Sequence, residues 1–339
     1  MSKREPGLDI IRCLAFFFVV LFHSFLNNGY YYEPQAGAAM WVWGSVRWLS
    51  TANNGLFLML TGYLQSGKSS YKACRHGLAS VLLGYVLASL ASIPIRQFAM
   101  GEAETLWTWV QRFFSFRGVY YGWYVGMYVG LALLMPFLNR GLSQIHTTQG
   151  FCLLLAVLIA ITALPGALPF TFGSYYWRSL YPITYYCLGA FVRRRKPATP
   201  PWLGLSLACL LALGLGAATV LSTDGALNEA FSQEFGDLWI VCICLWLFLS
   251  LYRLRLSPHA AQLAAFLSGG CYGAYLLSHL LDAWVYRLFP QWHTPSKYWI
   301  LLLAATLPIF ICSLMVGKLL STVTGQILRT RRMRHANSQ

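Results

Sequence analysis

Three ionisable residues, Asp9, Arg12 and His23, fall in the first apolar stretch of the sequence, in the run LDIIRCLAFFFVVLFHS. In an α-helix the eleven steps from Arg12 to His23 leave only about 20° between them around the axis and rise about 16 Å. An imidazole exchanges protons near neutral pH, and a guanidinium binds phosphate oxygens. Because Asp9 precedes Arg12 by three residues, all three share one helix face. That face has the groups for general-base chemistry beside an anion-binding group.

Arg12 and His23 each have a simpler interpretation when taken alone. Arg12 can be a snorkelling anchor at the membrane surface, and His23 can be an interfacial histidine that is hydrogen-bonded to its neighbours. Two independent anchors have no reason to share a helix face, and ionisable groups inside a membrane are costly. The alignment therefore favours a common function.

A second polar face is predicted near the end of the sequence. Tyr275, His279 and Asp282 are spaced i, i+4 and i+7, so they lie on one side of a helix. An aspartate beside a histidine can set its tautomer and favour its protonated form. The face is interpreted as a second acid–base group, a substrate-binding site or a structural polar cluster. Arg47 is expected to neutralise Asp282 or Asp9, because an unpaired buried charge is costly.

Membrane helices are the elements that must position these residues. The 339 residues are 57% hydrophobic and only 10% charged, whereas soluble domains carry about 25% charged residues. Apolar stretches of roughly 20 residues, the length that crosses a bilayer as a helix, recur from end to end. The composition excludes a soluble enzyme, a disordered chain and a disulfide-stapled secreted module. The predicted fold class is all-α, a polytopic membrane protein.

Ten membrane helices are predicted, in a single integral-membrane domain over residues 1–339 with no appended soluble domain. The second is interrupted by Asn53, Asn54 and Gly55, and the sixth is short. The first has no small-residue cleavage site after it, so it is not interpreted as a signal peptide. The predicted helices are 8–27, 40–65, 78–95, 119–138, 150–167, 179–192, 202–222, 236–252, 263–287 and 298–321.

The distribution of basic residues predicts the orientation. If the N-terminus is cytosolic, most of the 25 Lys and Arg residues fall in cytosolic segments and most of the 10 acidic residues fall outside. The positive-inside rule then places both termini in the cytosol. This topology explains the net charge of +15, so no nucleic-acid partner is expected. Segment 104–117, aromatic with a charge at each end, predicts an amphipathic helix at the outer interface.

Four motifs, in their order and spacing, resemble those of the membrane-bound acyltransferase-3 family, and the resemblance covers nearly the whole chain. The motifs are Arg12 and His23 with ten residues between them, Leu56 to Leu64 (LFLMLTGYL), Trp123-Tyr124 followed by Leu131 to Pro136, and Tyr272 to His279 (YGAYLLSH). The chain departs from the family pattern in three motifs. Thr61 replaces a common Ser, Tyr121 stands where a His often occurs, and His279 is shifted by one residue. The basic cluster after the second helix is reduced to Lys72 and Arg75.

The resemblance implies an O-acetyltransferase of the bacterial cytoplasmic membrane. Such enzymes move an acyl group, usually acetyl, from cytosolic acyl-CoA to a hydroxyl of a cell-surface or lipid-linked glycan. His23 would be the general base, and Arg12, with Asp9 beside it, would bind the donor. The rise of about 16 Å between Arg12 and His23 is comparable with the reach from the phosphates of CoA to its thioester sulfur. No Cys/His spacing is typical of a zinc site, so no metal is expected.

The same reaction implies further binding residues. Those expected to contact the phosphates of acetyl-CoA are Arg12, Arg47, Lys72 and Arg75. The cluster Arg193 to Lys196 is either another phosphate site or ordinary positive-inside charge. Those expected to bind the acceptor are Tyr30, Trp123, Tyr124, Tyr275, His279 and Asp282. For Tyr30, the acceptor role would be stacking on a sugar ring, and anchoring at the membrane interface is the favoured alternative.

A transporter or flippase for a small polar substrate is the rival interpretation, since broken helices and intramembrane charges also mark substrate pathways. Against it, no internal repeat is visible, and the polar groups concentrate in the first and ninth predicted helices. Labelled acetyl-CoA distinguishes the two, because only an enzyme releases CoA and acylates an acceptor in detergent.

Overall fold

The computed structural model describes residues 4–166, 173–222 and 235–337, and all regular structure within them is helical. The α-helices are α1 (Pro6–Asn27), α2 (Gly37–Ser50), α3 (Asn53–Gln65), α4 (Tyr71–Pro94), α5 (Leu106–Phe114), α6 (Trp123–Ser143), α7 (Thr148–Thr162), α8 (Tyr175–Arg178), α9 (Tyr181–Arg195), α10 (Pro201–Ser222), α11 (Leu238–Leu251), α12 (Pro258–Ser268), α13 (Cys271–Val285), α14 (Tyr298–Leu301) and α15 (Leu307–Asn337). Short 3₁₀ segments are Tyr30–Tyr32, Leu164–Gly166, Tyr286–Leu288, Pro290–Trp292 and Pro295–Lys297, and π-helical segments are Ile95–Ala99 and Leu302–Thr306.

Within the described residues, 5 helical segments are long and apolar enough to cross a membrane. They are Pro6–Asn27, Tyr71–Ala99, Trp123–Ser143, Pro201–Ser222 and Pro295–Thr330. Helices α7 and α11 are also apolar but shorter. The chain is therefore an all-α membrane protein, as its composition predicts. The count of ten spans and the cytosolic position of both termini stay predictions, and residue 167, the end of the fifth predicted helix, lies outside the described residues.

The second predicted helix is divided into α2 and α3, but the break lies at Thr51–Ala52 and not at residues 53–55. The hydroxyls of Ser50 and Thr51 donate to the carbonyl oxygen of Arg47, at 2.8 and 3.0 Å. Side-chain hydroxyls that bond to the backbone compete with the helical ladder and bend it. The polar residues that suggested the break instead form the first turn of α3.

The ninth predicted helix, 263–287, is also divided, at Gly269–Gly270 between α12 and α13. Further along, α13 crosses α15 in backbone contact, since a Cβ on Gly273 would lie 2.5 Å from the carbonyl oxygen of Gly317. Small residues permit such close helix crossings in membranes. The division lets α12 pack against α1 while α13 packs against both α1 and α15.

Helix α1 lies inside the bundle and packs against α2, α3, α11, α12 and α13. Its residues Ile11, Phe16 and Val20 have no exposed surface. Because neighbouring helices surround α1, its polar side chains meet protein rather than lipid. This is the element that carries Asp9, Arg12 and His23.

The amphipathic helix predicted over 104–117 is α5. The hydroxyl of Thr105 accepts from the backbone N–H of Thr108 at 3.1 Å, which caps the N-terminus of the helix. Trp109 is buried, and its indole N–H donates to Oε1 of Gln97 at 2.6 Å. Helix α5 is thus attached to the segment that follows α4. Its place at the outer membrane interface stays a prediction.

Candidate active site

The imidazole of His23 is oriented by its own helix. Its Nδ1 lies 2.7 Å from the carbonyl oxygen of Val19, one turn earlier in α1. Since a carbonyl oxygen only accepts hydrogen bonds, Nδ1 carries the proton and the lone pair of the neutral ring is on Nε2. The local geometry therefore leaves Nε2 able to accept a proton.

Tyr121, in the turn before α6, joins α1 to α13. Its ring stacks on His23 with centroids 3.9 Å apart. Its hydroxyl donates to Oδ2 of Asp282 at 2.8 Å, and its carbonyl oxygen accepts from the hydroxyl of Tyr275 at 3.0 Å. His279 meets the same ring edge-on, with centroids 5.4 Å apart. The two polar faces that the sequence predicts separately meet at this one tyrosine.

The preceding residue, Tyr120, stacks on His279 with centroids 3.9 Å apart and planes 12° apart. The guanidinium of Arg96 lies 5.6 Å from the centroid of the Tyr120 ring. Arg96 also donates to the carbonyl oxygens of Arg117 and Gly118, at 3.1 and 3.2 Å. This buried arginine therefore fixes the turn that carries both tyrosines.

Glu102 completes the network around Arg96. Its Oε2 lies 2.7 Å from Nη2 of Arg96 and 3.1 Å from Nη1 of Arg112. The hydrogen bond from Arg96 lowers the pKa of Glu102 below its usual value, and the charges of both arginines add to this against the opposing effect of partial burial. A charged Glu102 thus links α5 to the turn before α6.

Three cavities of the described chain follow α1 from one end to the other. The mouth cavity, beside the start of α1, has a volume of about 480 Å³. Cationic side chains outnumber acidic ones around it, which suits an anionic ligand. Its lining residues are Arg4, Glu5, Leu8, Asp9, Arg12, Tyr63, Leu64, Arg193 and Lys196.

The central cavity, of about 240 Å³, shares Arg12 and Leu64 with the mouth cavity, so the two are adjacent. Apart from Arg12, Thr61 and Gln65, its walls are aliphatic or aromatic. The lining residues are Arg12, Phe57, Leu60, Thr61, Leu64, Gln65, Val81, Tyr124, Val125, Tyr128, Tyr272 and Tyr275. One lining residue, Tyr275, donates its hydroxyl to Tyr121, so the wall of the central cavity contacts the residue that stacks on His23.

The distal cavity, of about 550 Å³, lies beside the C-terminal end of α1. His279 and Asp282 line it and follow Tyr275 along one face of α13, so one helix face borders both cavities. The lining residues are Asn27, Met100, Glu102, Tyr120, His279, Asp282, Ala283, Tyr286, Arg287, Pro290 and His293. His23 itself lines none of the three cavities. It stacks on Tyr121, which bonds to Tyr275 of the central cavity and to Asp282 of the distal one.

The structure therefore gathers Arg12, Tyr124 and Tyr275 at the central cavity, and His279 and Asp282 at the distal one. All five are residues that the sequence singles out, and Tyr121 links His23 to both groups. Periodicity predicted which residues share a helix face. It did not predict that the faces of two distant helices meet.

The expectation that Arg47 neutralises Asp9 or Asp282 is wrong. Asp9 is bound instead by Arg4, whose Nε lies 2.7 Å from Oδ2. Asp282 accepts from the neutral hydroxyl of Tyr121. Neither acid needs Arg47, because each has a nearer hydrogen-bond donor.

Arg47 and Tyr30 are both buried near the C-terminal end of α1. Nε of Arg47 donates to the hydroxyl of Tyr31 at 2.7 Å, at the opposite end of α1 from Arg12. Tyr30 is 1% exposed and packs edge-on against Phe25, with centroids 5.0 Å apart. A ring in that position has no free face for a sugar, so the expected stacking role of Tyr30 is wrong.

Three further expected residues lie away from these cavities. Trp123 stacks on Phe235 with centroids 5.8 Å apart, and 43% of its surface is exposed. Lys72 and Arg75 are exposed in the first turns of α4. None of the three lines the mouth, central or distal cavity.

Sequence reasoning missed the contributions of Arg4, Arg96 and Glu102. Arg4 contacts a residue far away in the sequence, and the contacts of Arg96 with Glu102 lie outside the apolar stretches. The charge of Arg96, near the end of the third predicted helix, was the one available signal. Within the basic cluster Arg193 to Lys196, Arg193 and Lys196 line the mouth cavity.

An all-helical membrane bundle that encloses a cluster of histidine, tyrosine and carboxyl groups defines an integral membrane protein with an internal polar site. The family model described as an acyltransferase domain, that of the acyltransferase-3 family, matches residues 5–318. The chain therefore belongs to this family and is a membrane acyltransferase. Neither a curated protein nor a solved structure matches it. Among the described residues, no group of three or more His, Cys, Asp and Glu side chains is arranged to hold a metal ion.

Proposed function

We propose that the protein transfers an acyl group, acetyl by default, from cytosolic acyl-CoA to a hydroxyl of a cell-surface or lipid-linked glycan at the bacterial cytoplasmic membrane. One observation carries the proposal. A path leads from Arg12 to His23, because Arg12 and Tyr275 line the same central cavity, Tyr275 bonds to Tyr121, and Tyr121 stacks on His23. It joins the two residues expected to hold the donor and to take up the proton.

The donor enters at the mouth cavity, which the positive-inside rule places on the cytosolic side. Its phosphates bind near Arg12, Arg193 and Lys196, which line that cavity, because charge-assisted hydrogen bonds to phosphate are strong. Its pantetheine arm passes Arg12 into the central cavity, whose mostly apolar walls suit an uncharged chain. The thioester then lies near Tyr275.

The acceptor enters at the distal cavity. A volume of about 550 Å³ is within the range of roughly 300–1,000 Å³ that is typical of small-molecule sites. The stacked pair of Tyr120 and His279 gives a flat wall against which a sugar ring can lie, and Asp282 provides a carboxyl group for a hydroxyl. The attacking hydroxyl therefore approaches His23 from the side opposite to the donor.

The reaction needs one base and no covalent intermediate on the protein. Nε2 of His23 takes the proton of the acceptor hydroxyl while the oxygen of that hydroxyl attacks the thioester carbonyl carbon. The C–O bond forms, the C–S bond breaks, and the imidazolium returns the proton to the departing thiolate of CoA. The hydrogen bond from Nδ1 to Val19 supports this role because it keeps the lone pair on Nε2.

Membrane vesicles that contain the protein and are given acetyl-CoA labelled in the acetyl group test the proposal. CoA should be released, and the label should appear in the glycan or glycolipid fraction, where mass spectrometry identifies the acetylated acceptor. His23→Ala should lower transfer by about 10²–10⁴-fold, the usual contribution of a general base, and thermal unfolding in detergent should show that the variant is still folded.

His259→Ala is a matched control, because His259 is exposed at the start of α12. Near-normal transfer by the His23→Ala variant would exclude the imidazole as the base. Flux of a polar solute across sealed vesicles, without release of CoA, would support the rival transport function.

A further inference from the structure

Asp9 is a buried carboxylate between two arginines, with 4% of its surface exposed. Arg4 binds it through two hydrogen bonds, from Nε to Oδ2 at 2.7 Å and from Nη2 to Oδ1 at 2.8 Å. Ser268, at the end of α12, donates its hydroxyl to Oδ1 at 2.5 Å. Nη1 of Arg12 lies 3.5 Å from the same oxygen, at the limit of a hydrogen bond. Asp9 is therefore paired with Arg4, although Arg12 is one helical turn away.

Arg4 is itself held in place by α12. Its Nη2 donates to the hydroxyl of Ser268 at 3.0 Å and to the carbonyl oxygen of Ala265 at 3.2 Å. The hydrogen bond to Asp9 raises the pKa of Arg4, so the guanidinium stays charged. A bidentate arginine–carboxylate pair is the strongest arrangement that these two groups can form.

Arg12, in contrast, makes one side-chain hydrogen bond within the described part of the chain, the 3.5 Å contact of Nη1 with Asp9. It lines both the mouth and the central cavity, and 30% of its side chain is exposed. Asp9 and Arg12 are spaced i, i+3, a spacing that favours an ion pair on a helix. A buried carboxylate without another partner would take Arg12 as its counter-ion, because an unpaired buried charge is costly.

We propose that Arg4 is a positioning residue: by neutralising Asp9 it leaves the guanidinium of Arg12 free to bind the phosphate groups of a nucleotide thioester at the mouth cavity. Asp9 then acts through this pairing and does not touch the substrate. The inference rests on the proposed function, since it takes Arg12 as the donor-binding residue. It adds a role for two residues that no step of the reaction uses.

Binding of CoA to the full-length protein in detergent, measured by titration calorimetry, tests the inference without any acceptor. Arg4→Gln should raise the Kd for CoA about tenfold, because Asp9 then captures Arg12. The double variant Arg4→Gln/Asp9→Asn should bind CoA within about twofold of the wild type, because a neutral amide needs no counter-ion. Arg140→Gln, which removes an exposed charge from the end of α6, is a matched control and should not change the Kd.

The outcomes distinguish a failure of the proposed function from a failure of the positioning role of Arg4. If the wild type does not bind CoA, the proposed function fails and the inference fails with it. If the wild type binds CoA and Arg4→Gln binds equally well, the positioning role alone is wrong. If the double variant binds as weakly as Arg4→Gln, Arg4 contacts the donor itself, which also contradicts the inference. Should Arg4→Gln fold poorly, Asp9→Asn alone decides: it must bind CoA at least as tightly as the wild type, and weaker binding overturns the proposal.

Discussion

The imidazole of His23 stacks on the phenol ring of Tyr121, with centroids 3.9 Å apart and planes 25° apart. Stacking of aromatic rings is favourable beyond the area that it buries. With Nδ1 bonded to Val19, the ring is held both in its plane and against its face. Tyr121 stands where the family pattern often has a His, so in this chain a phenol connects the first helix to Asp282.

Tyr121→Phe should destabilise the protein while keeping the stack on His23. Among the described residues, Oδ1 of Asp282 has no hydrogen-bond partner, so loss of the tyrosine hydroxyl leaves the buried carboxyl group without a partner from that part of the chain. An unsatisfied buried polar group costs about 1–3 kcal/mol, which thermal unfolding in detergent can measure. Tyr121→Leu removes the stacking ring as well, so its rate of acyl transfer should be about 10²-fold lower than that of Tyr121→Phe.

Tyr286→Phe is the control for the hydroxyl. The hydroxyl of Tyr286 bonds to the neutral hydroxyl of Thr306 at 2.8 Å, so its loss should cost less, about 1 kcal/mol. Equal destabilisation by Tyr121→Phe and Tyr286→Phe would show that the bond to Asp282 has no special weight.

The polar faces of α1 and α13 could be predicted because helical periodicity is a local property. The spacing of Arg12 and His23, and that of Tyr275, His279 and Asp282, places each set on one face whatever surrounds it. The faces meet only because α1 and α13 pack together and the turn before α6 lies between their ends. That packing depends on contacts far apart in the sequence, which periodicity does not contain.

Charge pairing was the least predictable feature. Charge alone allows Asp9 to pair with Arg4, Arg12 or Arg47, and the choice is made by α12, whose Ser268 and Ala265 hold Arg4 in place. The break between α12 and α13 is likewise a tertiary effect. Two adjacent glycines favour a bend, but the packing decides it, because α12 and α13 both contact α1 while α13 must also pack against α15.

Glu102 should make the stability of the turn before α6 depend on pH. Its pKa is lowered in the folded protein, mainly by the hydrogen bond from Arg96. A lowered pKa stabilises the fold above the unfolded value of about 4.3, and that stabilisation is lost as the pH falls through the folded pKa. The unfolding temperature in detergent should therefore fall more steeply below pH 4.3 for the wild type than for Glu102→Gln. Glu33→Gln, a loop acid with no ion pair in the described part of the chain, should keep the wild-type dependence.

Arg12→Lys should show whether the donor needs the planar guanidinium of Arg12 at the mouth cavity or only its positive charge. Lysine keeps the positive charge but cannot form the two parallel hydrogen bonds that a guanidinium offers to phosphate. The KM for acetyl-CoA should rise about tenfold with little change in kcat, whereas Arg12→Gln should raise it further. Arg140→Lys is the matched control at the end of α6. An unchanged KM in Arg12→Lys would mean that the donor does not use the guanidinium fork.

Filling the central and distal cavities one at a time should show which cavity binds the donor and which binds the acceptor. Thr61 lines the central cavity, so Thr61→Trp should block the donor arm, raising the KM for acetyl-CoA or abolishing transfer. Ala283 lines the distal cavity. Ala283→Trp should therefore raise the amount of acceptor-bearing membrane needed for half-maximal transfer and leave the binding of CoA unchanged. Leu133→Trp, on the exposed side of α6, is the control for adding an indole. If Ala283→Trp weakens the binding of CoA as much as Thr61→Trp does, the two substrates do not approach His23 from opposite sides.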